Sequence, residues 1–282
     1  MKRVGYFNGE IGNLDELKIP LCDRSVFFGD AVYDAVTVLN KKAFTLGMHL
    51  DRLYNSCRLI DIDFQMPRKE LEAEIDKVIQ LSEDDTTMLY IQVTRGNAPR
   101  KHEFPADTKP NLIMAVTPLT LPPRDKKASL ISVEDIRFQY CNVKTTNLLP
   151  NVIAAQKSAA AGVTEVLMHR GNRVTEAAHS SILMMKDGVV VMPPLDELIL
   201  PSITRAIVQE LCDENGIPTE SRIITTEELA EADEILLCST TKNVIYVFEL
   251  DGRPVGGKDR ALALRVQDLF FKKVFEETGV RL

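Results

Sequence analysis

A chain of 282 residues exceeds the usual size of one hydrophobic core, so one large or two medium domains are expected, and 45% apolar with 27% charged residues is the make-up of an ordinary soluble globular protein. The net charge of −7, with no basic run, excludes a nucleic-acid scaffold, because phosphate backbones are bound by clustered lysines and arginines. The N-terminus MKRVGYFNG has no apolar signal core and the chain holds no 18-residue apolar run, so neither secretion nor membrane spanning is indicated and a cytoplasmic location is expected.

In chain order, GYFNGEIG sets Asn8-Gly9 between short apolar stretches, the pattern of a β-hairpin turn. Residues 25–40, SVFFGDAVYDAVTVLN, read as β-rich around Gly29. HLDRLYNSCRLIDI spaces Leu50, Leu53, Cys57 and Ile60 as a helix, and PRKELEAEIDKVIQL repeats this with Leu71, Ile75, Val78 and Ile79. Strands MLYIQVTRG and NLIMAVTP complete an α+β first part.

The stretch TPLTLPPRDKK, residues 117–127, joins three prolines to a charge cluster and is the one evident interdomain connector. The expected division is a smaller domain over 1–118, a linker over 119–124 and a larger domain over 125–282. Beyond the linker come strands ASLISVE, TEVLMHR, SILMMK, VVVM, EILLCST and VIYVFEL, interleaved with helices at 147–161, 203–215 and 259–277.

Cys22, Cys57, Cys141, Cys212 and Cys238 are odd in number and lack CxxC spacing, which disfavours a disulfide framework and a zinc site; no metal is expected. Cys141 as a nucleophile is weighed against a buried reduced thiol, and the second reading is preferred.

Lys144, in YCNVKTTNLLPN, stands at the end of an alternating, strand-like run among apolar and small polar residues. A lysine held there is either a usable amine for a Schiff base or a strand-end side chain reaching for solvent. Glu176, in GNRVTEAAHSS, follows a Gly171-Asn172 turn and lies among small residues. A carboxylate there suits a protonated heteroaromatic nitrogen, and an exposed strand-end glutamate fits as well.

In ILPSITRAIVQELCDENG, Ser202 is a good N-cap and Asn215-Gly216 a stop. The helix start, flanked by hydroxyls, is an anion-site candidate. The cluster CSTTKN supplies Ser239, Thr240 and Thr241 to the same anion, or is a polar loop. Arg52, three residues after His49 on one helix face, is a phosphate clamp or a structural ion pair. In VTRGNAPRKHEFP, Arg95, Arg100, Lys101 and His102 gather positive charge that suits a carboxylate, or form a solvated loop.

Taken in order, FFGDAVYDAV, HLDRL, QVTRGNAPRKHEFP, the lysine of CNVKTTNLLPN, HRGNRVTE, LPSITR and STT resemble the fold-type IV pyridoxal-phosphate enzymes from end to end. Within that family the chain most resembles the bacterial D-amino-acid (D-alanine) aminotransferases. The resemblance implies a two-domain α/β (α+β) fold with pyridoxal 5′-phosphate in the cleft, Lys144 as the residue joined to the cofactor aldehyde and as proton shuttle, and Glu176 on the pyridine nitrogen. It implies Arg52, Ile203, Thr204, Ser239 and Thr240 on the phosphate and Leu200 beneath the ring. Tyr33 would hold the substrate carboxylate with Arg100 and His102, the last two reaching over from the neighbouring subunit of a homodimer.

The implied reaction is ping-pong amino transfer between D-amino acids such as D-alanine and 2-oxo acids such as 2-oxoglutarate. Branched-chain L-amino-acid aminotransferase, (R)-amine transaminase and aminodeoxychorismate lyase share the fold and the lysine, and a non-catalytic ligand-binding homologue is a further alternative. After Glu176 the chain reads Ala177-Ala178-His179-Ser180-Ser181, where close relatives usually have a glycine, a serine-rich turn and an asparagine; this implies His179 near the cofactor.

Overall fold

The computed structural model describes residues 1–282, which divide into two compact units. The first comprises Met1–Thr120, Val143–Asn147 and Glu277–Val280; the second comprises Leu121–Asn142, Leu148–Glu276 and Arg281–Leu282. The proline-rich stretch 117–127 contains the passage from Thr120 to Leu121, and the five residues centred on Thr145 fold with the first unit.

The first unit opens with a hairpin of β1 (Val4–Phe7) and β2 (Glu10–Asn13). Its turn residues Asn8 and Gly9 have φ of 47° and 97°, the left-handed pair that a tight hairpin requires. Then come α1 (Arg24–Phe28), β3 (Ala31–Leu39), β4 (Lys42–Ala43), α2 (Leu46–Leu59), α3 (Arg68–Gln80), β5 (Thr86–Thr94) and β6 (Asn111–Pro118). The strands form one antiparallel sheet in the order β2-β1-β6-β5-β3-β4.

Alternation along β5 and β6 puts Leu89, Ile91, Val93, Leu112, Met114 and Val116 into one core with the helical stripes Leu50, Leu53, Cys57 and Leu71, Ile75, Val78. Each such side chain contributes roughly 1.5–3 kcal/mol by leaving water. The sheet is thereby fixed in register, since a one-residue slip would turn these residues outward.

The β-rich reading of residues 25–40 holds only from Ala31 onward. Arg24–Phe28 is a short helix because the Asp23 side chain accepts from Ser25 N at its start and Gly29, at φ 62°, ends it in the left-handed region. The apolar run Val26-Phe27-Phe28 carries no periodicity that separates the two structures.

The second unit contains β7 (Lys127–Glu134), α4 (Leu149–Ala161), β8 (Glu165–Arg170), β9 (Arg173–Ala177), β10 (Ser181–Lys186), β11 (Val189–Met192), α5 (Ile203–Glu214), β12 (Thr219–Ser221), α6 (Thr226–Ala230), β13 (Glu234–Ser239), β14 (Asn243–Leu250), β15 (Arg253–Pro254) and α7 (Arg260–Thr278), whose last two residues belong to the first unit. Its sheet runs β12-β11-β10-β13-β14-β7-β8-β9, with β15 on β14. Pairs β11/β12, β14/β7 and β7/β8 are parallel and the others antiparallel.

β10 and β13 are buried almost throughout, as their apolar runs ILMM (182–185) and ILLC (235–238) require of strands covered on both faces. α4 packs on β7 and β8, α5 on β13. No helix is long and apolar enough to cross a membrane.

The strand-like run before Lys144 is not a strand. β7 ends at Glu134, and the backbone from Asp135 to Leu148 is irregular, its hydrogen bonds drawn to other segments: Cys141 N donates to Glu197 O at 2.8 Å and Lys144 O accepts from Tyr33 N at 2.9 Å. Alternation of apolar residues does not make a strand where no ladder partner is offered.

Candidate active site

In the first unit Lys144 is held by its backbone. Besides the bond from Tyr33, Lys144 N donates to Ser56 Oγ at 3.3 Å, and Val32 forms a bridge with Thr145. Thr146 Oγ1 and Asn147 Nδ2 both donate to Gly29 O, at 2.9 and 2.8 Å. Gly29 is needed here twice over: its φ is left-handed, and a Cβ would stand 2.7 Å from Asn147 Oδ1. The half-buried Lys144 side chain reaches over the Tyr33 ring, Nζ to centroid 4.4 Å, and Tyr33 stacks on Tyr90 at 5.4 Å.

Asp34 points to the opposite, core face of β3 and collects α2. Arg52 donates to it from Nε and from Nη2, both at 2.8 Å, and His49 Nδ1 lies 2.7 Å from Oδ1. Burial alone would raise the Asp34 carboxyl, but the Arg52 charge and the His49 hydrogen bond bring it well below the usual carboxylate range. Burial pushes His49 down, so a neutral ring donating Nδ1–H to Asp34 fits the geometry. Asp34 thus fixes the direction in which Arg52 points.

Arg100 and His102 come together on Phe28, the last residue of α1. The His102 ring centroid is 5.3 Å from that of Phe28, and the Arg100 guanidinium is 5.3 Å from it. Both are exposed. Arg95, of the same sequence cluster, is instead a buried structural residue: it donates to Asp30 and to the carbonyls of Ile60 and Asp61, and lies 3.6 Å over the Phe104 ring.

In the second unit Glu176 is buried on β9. Its Oε1 accepts from Arg137 Nη1 and its Oε2 from the backbone N–H of Leu200, 3.3 Å away. Arg137 also donates to Asp135 from Nε and Nη2, at 2.9 and 2.8 Å. Burial raises the Glu176 carboxyl, and Arg137 opposes that rise.

Ser202 caps α5 through its Oγ, which accepts from Arg205 N at 3.3 Å. The amides of Ile203 and Thr204, in the first turn, have no carbonyl of their own helix to bond. Among the polar atoms of this unit buried without a hydrogen-bond partner are Arg205 Nη1 in the same turn and Ser239 Oγ at the end of β13. Thr240 and Thr241 continue from Ser239 and are half-buried.

His179 meets Glu165 and Lys242. Its backbone N–H and ring Nδ1 face Glu165 Oε1, at 2.7 and 3.3 Å, and its Nε2 meets Lys242 Nζ. Glu165 is fully buried and also accepts from Ser180 Oγ at 2.8 Å and Lys242 Nζ at 3.0 Å. It ties the turn after β9 to the turn after β13.

The sequence matches the family described as amino-transferase class IV over residues 31–250. It is 36% identical over 276 residues to a D-alanine aminotransferase of Bacillus licheniformis, covering 97% of this chain and 98% of that protein. The chain belongs to the class IV aminotransferase family. It is also 34% identical over 273 residues to a D-alanine aminotransferase of Staphylococcus aureus strain MSSA476, covering 95% and 97%. Its fold is that of the branched-chain amino acid aminotransferase from Escherichia coli, with a TM-score of 0.86, 21% identity and coverage of 99% and 95%. Enzymes of this family depend on pyridoxal phosphate.

Four supporting residues of this class IV aminotransferase, Asp34, Arg137, Glu165 and Arg24, become evident only in the structure. Each is charged and buried, or nearly so, which is rare without a paired partner, yet no spacing in the sequence links the partners. Asp34 in the apolar strand AVYDAVTVL was the one visible signal, a charge on the core face of an alternating pattern.

Proposed function

We propose that this class IV aminotransferase is a homodimeric, pyridoxal-phosphate-dependent transaminase that moves amino groups between D-amino acids, D-alanine among them, and 2-oxo acids such as 2-oxoglutarate. The observation that carries the D-amino-acid assignment is the pairing of Arg100 and His102 on one aromatic ring: a guanidinium and an imidazole presented together suit a carboxylate. The two D-alanine aminotransferase relatives support the same reading.

The residues fit the cofactor. Ser239 Oγ, buried without a partner, has the donor a phosphate oxygen needs, and leaving such a group unmet costs about 1–3 kcal/mol. Thr240, the Ile203 and Thr204 amides and Arg52 would complete the phosphate site. Glu176 would accept a hydrogen bond from the pyridine nitrogen, and the half-buried Leu200 would pack beneath the ring. When bound, pyridoxal phosphate supplies an electron sink for the charge that develops at the substrate Cα.

The protein's own groups do the rest. Lys144 Nζ takes the Cα proton and returns it, as a primary amine at a fixed backbone can. Arg137 opposes the pull of burial toward a protonated Glu176. Tyr33 would hold the substrate carboxylate together with Arg100 and His102, the last two reaching over from the neighbouring subunit. Since donor and acceptor use one site in turn, ping-pong kinetics are expected.

Several exposed apolar residues of the second unit, Ile136, Phe138, Tyr140, Leu149, Val152 and Ile153, support burial against a second copy. The five unpaired cysteines accord with the reducing cytoplasm.

The test is steady-state transamination from D-alanine to 2-oxoglutarate by the pyridoxal-phosphate-loaded enzyme, with L-leucine, an (R)-amine and aminodeoxychorismate as competing substrates. Turnover of D-alanine with a KM raised steeply by Arg100→Ala supports the assignment. Preferential turnover of any rival contradicts it.

A further inference from the structure

Residues 100–104 form an exposed segment without regular secondary structure, the kind of loop that is mobile by default. Yet its backbone is gripped from below. Arg24, on α1, is 3% exposed, and its Nη1 donates to Lys101 O at 2.7 Å and to Glu103 O at 3.3 Å, while Nη2 donates to His102 O at 3.4 Å. Its Nε donates to Asp30 Oδ2 at 2.7 Å, and the same carboxylate is shared with Arg95.

Holding the carbonyls of residues 101 and 102 fixes the peptide planes on both sides of His102, and hence the direction in which its side chain leaves the loop. Phe28, four residues beyond Arg24 on the same helix, is the ring on which His102 and Arg100 rest, and Arg24 itself lies 4.8 Å from its centroid. One buried guanidinium therefore sets both the backbone and the seat of the Arg100/His102 pair. A lysine could not do this, because it lacks the planar fork.

We propose that Arg24, oriented by Asp30, is a positioning residue for substrate-carboxylate recognition; the proposal rests on the role assigned above to Arg100 and His102. Arg24 touches no substrate. Its effect is on how tightly carboxylate substrates are bound, since misplacing a clamp by about 1 Å can cost up to about 10²-fold.

The experiment compares wild type, Arg24→Gln, Arg100→Ala and the double variant as pyridoxal-phosphate-loaded enzymes. Arg24→Gln is expected to raise the KM for D-alanine and for 2-oxoglutarate about tenfold or more while kcat stays within about threefold. It should add little to the KM of Arg100→Ala, because the two act as a unit. Amide hydrogen exchange at residues 100–104 should quicken. Should Arg24→Gln fail to fold, Arg24→Lys keeps the buried charge against Asp30 and is expected to give the same split with a smaller KM rise.

Unchanged KM in the variant that folds, or an additive double variant, would overturn the proposal. If Arg100→Ala itself leaves KM unchanged, the carboxylate-trap reading fails first, and the Arg24 proposal with it.

Discussion

Arg137 donates from Nη1 to Oε1 of Glu176 while the other edge of the same guanidinium grips both oxygens of Asp135. Glu176 is buried, and its carboxyl is raised; Arg137 is the first charge that opposes the rise. Replacing Arg137 by methionine removes that opposition, so a larger fraction of Glu176 is expected to be protonated at neutral pH. A neutral carboxyl is a poorer partner for a pyridinium. In the cofactor-loaded variant kcat at neutral pH should fall toward that of Glu176→Gln, the limiting case, and recover in part as pH rises and the carboxyl ionises.

The Asp34–Arg52 pair bears on stability. Both partners are buried or nearly so, and removing one side of such a pair typically costs about 3–5 kcal/mol. Asp34→Ala should therefore unfold at distinctly lower denaturant concentration than wild type. The pH dependence follows from the sign of the shift. Asp34 is depressed in the folded state, so it binds protons less readily there than in the unfolded chain, where its value is near 3.9. Its stabilisation is present above that value and is lost as pH falls through the lower, folded one. Comparing denaturation of wild type and Asp34→Asn between neutral pH and the acid range below about pH 4 checks this: the gap between them should shrink only in acid.

Glu165 is expected to act on cofactor retention. It holds His179, Ser180 and Lys242 at once, and Lys242 directly follows the Ser239–Thr241 turn assigned to the phosphate. Glu165→Gln leaves the Lys242 ammonium without its counter-charge and removes charge-assisted bonds worth about 1.5–3 kcal/mol each. Dialysis against phosphate buffer, followed by absorbance of retained pyridoxal phosphate, should show a dissociation constant raised roughly tenfold, with Lys242→Met giving a similar change.

Thiol reactivity offers a check on the packing. Burial pushes Cys141 up to about 11, Cys212 up to about 11 and Cys57 up to about 12, so these are protonated and sheltered at neutral pH. Cys22 alone is exposed. Brief alkylation of the native protein should modify one thiol, and Cys22→Ser should abolish the reaction.

The helices and strands with strong periodicity were legible from the chain itself: the Leu50-Leu53-Cys57 and Leu71-Ile75-Val78 stripes, the alternation of β5 and β6, and the cap Ser202. Those signals are local, set by side-chain period and by backbone conformations that few residues adopt. α1 and the segment before Lys144 were misread for the complementary reason. In each, short apolar runs carry no decisive period, and the outcome is set by a cap or by bonds to distant chain.

The same limit applies to the candidate site. The lysine, glutamate, hydroxyl cluster and basic loop could be named in the sequence, because they are chemically unusual in their surroundings. Their supports could not. Arg24 stands 77 to 79 positions from the carbonyls it holds and Asp23 stands 71 from Thr94, and these contacts arise only when α1 docks on the end of β5 and the loop that follows.

The most direct test of the central claim is a titration of the pyridoxal-phosphate-loaded protein, followed at its visible absorption band, with D-alanine, L-alanine and L-leucine added in separate samples. D-alanine alone is expected to discharge the band and 2-oxoglutarate to restore it, and neither change is expected in Lys144→Ala. Discharge by L-leucine and not by D-alanine would contradict the assignment of Arg100 and His102 and with it the proposed D-amino-acid specificity.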